Sequence, residues 1–207
     1  MIVNDSDALP QVILYSGRHI VLRRVTPEDA FLLFGWLQTP AGVRYRDGLL
    51  DICPNPQRLA ARIAMQLAIA PPLEYEVVIL HAPSETPIGI VGLSAIDTRN
   101  GKAELSLALM RGRGTRCFLE TVAIVLERSF AAFDLHKLIF HVRSDNKPVL
   151  RLMERYGITA EGILREELAT EDGFRSDLYR FALFRRDWLV HPLHEHLLQL
   201  FPKIKEQ

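Results

Sequence analysis

Residues 103–142 read AELSLALMRGRGTRCFLETVAIVLERSFAAFDLHKLIFHV, and this run decides the fold. Its first seven residues begin with the alternation of a strand, Glu104 standing between Ala103 and Leu105. A loop dense in arginine and glycine follows at 111–116 (RGRGTR). Residues 118–133 then place Leu119, Val122, Leu126 and Phe130 along one helical face. Residues 138–142 (LIFHV) read as a buried strand. Strand, loop, helix and strand in that order make a crossover between parallel neighbours.

Upstream, 75–81 (YEVVILH) and 88–96 (IGIVGLSAI) are strands, with a turn at 83–86 between them and a second at Asn100-Gly101. The first strand is 19–25 (HIVLRRV). Thr26-Pro27-Glu28-Asp29 then opens a helix, with Thr26 as cap and Asp29 closing a capping box. Phe31, Phe34 and Leu37 recur along that helix at helical spacing. Residues 41–55 are irregular, and 56–70 form a second helix ended by Pro71-Pro72. Downstream, 148–156 is a short helix closed by Gly157. Strands at 163–168 and 178–184 flank an Asp172-Gly173 turn. The tail at 192–200 carries Leu193, Leu197 and Leu200 at helical spacing, to seal either the core or a homodimer contact. The prediction is α/β: a mixed, mostly antiparallel sheet of about seven strands with flanking helices. Residues 1–16 read as a preamble, 17–188 as one domain and 189–207 as a helical tail.

Composition narrows the function. The chain has 207 residues, 48% hydrophobic and 24% charged, which suits an ordinary globular domain. Its 25 basic and 25 acidic side chains give no net charge, against a nucleic-acid binder that works through phosphate charge. Two cysteines are too few for a disulfide framework or a zinc site. The start, MIVNDSDALP, does not resemble a signal peptide, and no uncharged run approaches a membrane span. The expectation is a cytoplasmic protein without membrane, nucleic-acid or metal partners. His191, His194 and His196 read as a surface helix rather than a metal site. Cys117 at a helix start beside Arg113 and Arg116 could be an activated thiolate, but packing is the simpler reading.

The arginine–glycine loop is where an anion would sit. Amides at a helix N-terminus are unpaired and the helix dipole is positive there. Arg111, Arg113 and Arg116 add three charges. A solvated basic turn is the alternative on these residues alone.

The wider pattern resembles the GNAT superfamily of acyl-CoA-dependent N-acyltransferases over roughly residues 19–188. Leu135-His136-Lys137-Leu138 matches the start of that family's fifth strand, and Asn146-Lys147-Pro148 the opening of the next helix. Tyr156-Gly157-Ile158 matches its Leu-Gly-Phe. Glu161-Gly162, Arg165-Glu166, Asp172-Gly173, Asp177 and Trp188 place the chain nearest the branch of ribosomal-protein N-terminal acetyltransferases. The resemblance implies acetyl-CoA or another acyl-CoA in a V-shaped opening between two strands, with its pyrophosphate on the loop. It implies a backbone amide near Leu107 and Leu109 polarising the acyl carbonyl, Arg111, Arg113, Gly114 and Arg116 at phosphate, and Asn146 at the pantetheine arm. A small-molecule or peptide amine would attack directly, its proton taken through water by Glu104, with Glu167 as a second candidate carboxylate.

The loop departs from the family pattern Q/R-x-x-G-x-G/A. Read without gaps, its two small positions become Arg116 and Phe118; alternatively Gly112-Arg113-Gly114-Thr115 supplies them and the helix gains about four residues. A guanidinium-built cradle would still hold phosphate. An acyl carrier protein as donor, or a non-catalytic binding module, are the rival readings. Met153 stands where many members carry a Tyr that protonates the thiolate, so the acid must come from elsewhere. Tyr156, His136 and His141 read as packing residues.

Overall fold

The computed structural model describes residues 13–46, 48–70, 72–111, 115–170 and 173–201. Eight strands form one sheet: β1 (Ile13–Ser16), β2 (Ile20–Arg24), β3 (Tyr75–His81), β4 (Thr86–Asp97), β5 (Lys102–Leu109), β6 (Lys137–Arg143), β7 (Ala160–Ala169) and β8 (Arg175–Phe184). Their spatial order is β1-β2-β3-β4-β5-β6-β8-β7. Among the described residues every neighbouring pair is antiparallel except β5 and β6, the pair that the crossover joins. The count is eight rather than seven because residues 13–16 pair with β2, although nothing before His19 reads as a strand.

The crossover helix is α5 (Thr115–Ala132). It packs on one face of the sheet with α8 (Pro192–Leu200), burying Ile124, Leu126, Phe130, Leu193 and Leu197 against Val77, Val91 and Leu138. The other face carries α1 (Ala30–Leu37) and α4 (Pro56–Leu67) over Val78 and Ile90. The irregular stretch holds two short helices, α2 (Pro40–Tyr45) and α3 (Leu49–Ile52). The remaining helices are α6 (Lys147–Arg155), after β6, and α7 (Arg185–Trp188), after β8.

Local chemistry sets the boundaries. The Thr26 signal opens a 3-10 turn, Pro27–Asp29, before α1. Asp29 accepts from the Thr26 amide at 2.9 Å and grips both terminal nitrogens of Arg23. The inward face of α1 is Ala30, Leu33, Trp36 and Leu37; Phe31 is 70% exposed, so its helical spacing misleads. Asn55 caps α4 by accepting from Arg58 N at 2.9 Å, with Pro56 at the first position. Gly157 ends α6 in the left-handed region at φ 65°, and Ile158 N reaches back to Met153 O at 2.9 Å. In the tail Leu193 and Leu197 are buried, but Leu200 points outward and Phe201 takes the third core place. No helix among the described residues is long and apolar enough to cross a membrane.

Candidate functional site

The sheet opens in its middle. β5 and β6 pair only at Lys102/Lys137, Ala103/Leu138 and Glu104/Ile139. Beyond Glu104, β5 stays bonded to β4 as far as Leu109, and β6 stays bonded to β8 as far as Arg143. The two strands therefore part toward their C-terminal ends. Gly101 O accepts from His136 N and Lys137 N on the β6 side, while Met110 N donates to Ile88 O on the β4 side. Backbone groups alternate in direction along a strand. Odd-numbered β5 residues thus aim their amides toward β6; the Glu104/Ile139 pairing takes up the Leu105 amide, and Leu107 and Leu109 have no strand opposite them.

Both walls of the gap run into helices. β5 leads through Arg111 to α5, and β6 leads through Asn146 to α6, so two helix N-termini face the same open end. Arg111 and Arg116 are exposed and make no ion pair among the described residues. Arg113 and Gly114, the other two loop candidates, lie outside the described residues. Asn146 is partly buried, and its side chain makes no cap bond to α6. Its amide is therefore available to a ligand, which weakens the reading of Asn146 as a plain cap. Leu107 and Leu109 turn their side chains into the core beside α5.

Glu104 occupies the vertex, the last paired position before the strands part. Its side chain lies on the α1/α4 side of the sheet, as do those of Ser106 and Ala108, because successive residues alternate faces. His141, two residues past Glu104's partner Ile139, lies on that same side. His141 Nδ1 stands 3.8 Å from Glu104 Oε2, and both side chains keep access to solvent. Further along this face Glu161 bridges Lys137 (2.5 Å) and Arg180 (3.2 Å). The Lys137 hydrogen bond and then Arg180 hold the Glu161 carboxyl below its usual range. His141, read from sequence as packing or a local hydrogen bond, is a neighbour of Glu104 that the sequence reading did not place there. The available signal was its parity with Ile139, which puts it on the face of Glu104.

Glu167 is placed elsewhere. It is exposed on β7, the edge strand, with β8 between it and β6. A bulge between Leu164 and Leu168 carries it, with Glu166 in the left-handed region at φ 52° and its amide on Asp177 Oδ1. No hydrogen bond or ion pair joins Glu167 to Glu104. Met153 is partly buried on α6, and Tyr156 packs against the core, as expected.

Cys117 and the tail histidines have local structural surroundings. Cys117 is buried, and burial together with the nearby Glu120 charge pushes its thiol up, opposite to an activated thiolate. The tail histidines are engaged locally: His191 Nδ1 accepts from Leu193 N, its Nε2 meets Tyr156 O, and His194 pairs with Glu127 at 2.7 Å. Among the described residues there is no cluster of His, Cys, Asp or Glu able to hold a metal.

The sequence pattern of the family described as acetyltransferase (GNAT) domain matches residues 19–159. An uncharacterized N-acetyltransferase, p20, of Bacillus licheniformis is 27% identical over 179 residues, covering 84% of this chain and 97% of that protein. Among solved structures, a chimera built on the spermidine N-acetyltransferase of Vibrio cholerae is 22% identical with a TM-score of 0.70, covering 83% of this chain and 99% of that one. A dodecameric structure of the Vibrio cholerae enzyme is 21% identical with a TM-score of 0.67, covering 83% and 96%. These likenesses reach the family but give no support to the ribosomal-protein branch: the similar solved structures include spermidine N-acetyltransferases and a protein described only as an acetyltransferase.

Proposed function

The chain belongs to the acetyltransferase (GNAT) domain family and is an acyl-CoA-dependent N-acyltransferase, and from that premise we propose that it moves an acetyl group from acetyl-CoA to a primary amine presented on the Glu104–His141 face. The observation that carries this reading is the strand gap: Leu107 and Leu109 of β5 have no strand opposite their amides, and Glu104 stands at its vertex.

The donor supplies a thioester carbonyl carbon open to amine attack. The residues present fit it. The Leu107 or Leu109 amide donates to the carbonyl oxygen as charge builds there, at a site that needs no reorganisation. Asn146 bonds the pantetheine arm. Arg111 and Arg116 neutralise phosphate beside the α5 N-terminus, with Arg113 and Gly114 completing the loop. Glu104 takes the ammonium proton through water, with His141 orienting its carboxylate. The amine nitrogen bonds to carbon as the carbon–sulfur bond breaks, and water protonates the departing thiolate, because Met153 has no proton to give. Glu167 is the second carboxylate to compare with Glu104.

A carrier-protein donor is the second reading. It is favoured by Arg111 and Arg116, which are exposed and free of ion pairs among the described residues. Calorimetric titration with CoA, acetyl-CoA and a long-chain acyl-CoA separates the readings, beside an Arg113→Ala/Arg116→Ala variant. Acetyl-CoA binding that the variant loses supports the proposal, and acetyl transfer to spermidine or to a peptide N-terminus then identifies the acceptor class. Binding of none of the three would leave the carrier-protein donor or a non-catalytic module.

A further inference from the structure

A second cavity, of about 320 Å³, lies away from the strand gap, between β1–β4 and the C-terminal half of α5. Its lining runs from Ile124 to Phe133 on the helix, roughly 14 Å or more along the axis from Thr115 at a rise of about 1.5 Å per residue. Leu22, Val77, Val91, Leu93 and Ile124 make its walls, and among the described residues Arg128 is the one charged side chain that lines it. Arg24 stands beside the same end, its guanidinium 5.4 Å from the centre of the Tyr75 ring, and Tyr75 also lines the cavity. Neither Arg24 nor Arg128 has a carboxylate partner among the described residues, and no acid lines the walls.

An apolar hollow with two unpaired guanidinium groups at one end selects a ligand with an apolar body and one negative head. At about 30 Å³ for each water-sized group, the volume takes on the order of ten non-hydrogen atoms. Burial raises the Tyr75 hydroxyl while Arg24 and Arg128 pull against it, so the positive field of both reaches the ring at this end. We propose that this cavity is a binding site for a medium-chain aliphatic carboxylate, its tail between β3, β4 and α5 and its head on Arg128 and Arg24. The site is separate from the acyl-CoA gap and does not depend on that gap being used.

Calorimetric titration of the full chain with decanoate, decylamine and butyrate tests it. Decanoate should bind in the micromolar range, and decylamine and butyrate at least tenfold more weakly. Arg128→Gln should weaken decanoate by about tenfold. Ala132→Trp, at an exposed position of α5 that also lines the cavity, should abolish binding. Both variants should keep the wild-type far-ultraviolet circular dichroism and urea midpoint. No decanoate binding, equal binding of decylamine, or unchanged binding in Ala132→Trp would overturn the proposal. Displacement of decanoate by CoA would also overturn it, by moving the ligand into the strand gap. A chain that fails to bind CoA leaves the Ala132→Trp comparison valid, so the two readings fail separately.

Discussion

His141 Nδ1 lies 3.8 Å from Glu104 Oε2 at the point where β5 and β6 separate. In the proposed reaction this carboxylate would take the proton of an amine entering from the α1/α4 side, with the imidazole beside it as the orienting group. General base assistance contributes roughly 10²–10⁴-fold. Glu104→Gln should therefore lower kcat about 100-fold or more while leaving the KM for acetyl-CoA near wild type. His141→Gln should lower kcat less, by about tenfold, since it removes the orienting group rather than the base. Steady-state kinetics with both substrates varied measures both, and Glu167→Gln is the control. A larger loss in Glu167→Gln than in Glu104→Gln would reverse the assignment.

Arg116 stands exposed in the first turn of α5 without an ion pair among the described residues, where phosphate would meet it in the proposed reaction. Its removal should act on binding rather than chemistry. Arg116→Ala should raise the KM for acetyl-CoA about tenfold, the equivalent of one charge-assisted hydrogen bond at about 1.5 kcal/mol. kcat should stay within about twofold, and added salt should shrink the difference between variant and wild type.

The crossover was legible because each part carries a local signal: β6 is a run of apolar residues, α5 an apolar stripe, and the loop between them is arginine and glycine. The same holds for β3 and α8, whose sequence bounds coincide with the structure. β1 was not legible. Ile13–Ser16 is four residues long, and a strand that short is defined by its partner β2 rather than by its own pattern. Phe31 misled because spacing shows that residues share a face, not which face is covered. At the site, Glu104 was named through the resemblance to the family, while strand alternation gave only a carboxylate on the polar side of β5. Its neighbour His141 was not placed beside it, since their meeting depends on the parallel register of Glu104 with Ile139, which no local pattern states.

Cys117 and Cys53 are both buried, and the Cys117 thiol is raised by burial first and by Glu120 second. Thiolate is the reacting form. Iodoacetamide at pH 7.5 should leave the native protein unlabelled and acetyl transfer unchanged, with two alkylations appearing in denaturant by mass spectrometry. Loss of activity with one label on native protein would contradict the packing role.

Glu120 is the anchor of the β1–β2 hairpin on α5. It is 1% exposed and accepts from Tyr15 hydroxyl (2.9 Å), Arg18 N (2.9 Å) and His19 N (2.8 Å). The hairpin fits because residue 17 is glycine: a Cβ there would come within 2.1 Å of Glu120 Oε1. Glu120→Ala strands three donors and should cost about 3–5 kcal/mol, as breaking a buried charged contact does. Gly17→Ala should cost about 1–3 kcal/mol, the range of overpacking. Urea unfolding reads both, and a Gly17→Ala protein as stable as wild type would show the hairpin free to shift.

The Tyr15–Glu120 bond also fixes a pH dependence. Burial, and then the hydrogen bond and negative charge of Glu120, raise the Tyr15 hydroxyl above its ordinary value of 10. A group that holds its proton more tightly when folded gives stability that is fully present below the unfolded value and fades as pH rises toward the folded one. Tyr15→Phe keeps both backbone donors on Glu120 and loses one bond to a charged acceptor, about 1.5–3 kcal/mol. The stability gap between wild type and Tyr15→Phe should therefore stay constant from pH 7 to about 9.5 and narrow above pH 10. Urea unfolding at half-unit steps of pH tests the sign. A gap that widens above pH 10 would mean that ionising Tyr15 favours the folded chain, which cannot hold while its oxygen lies 2.9 Å from a buried carboxylate.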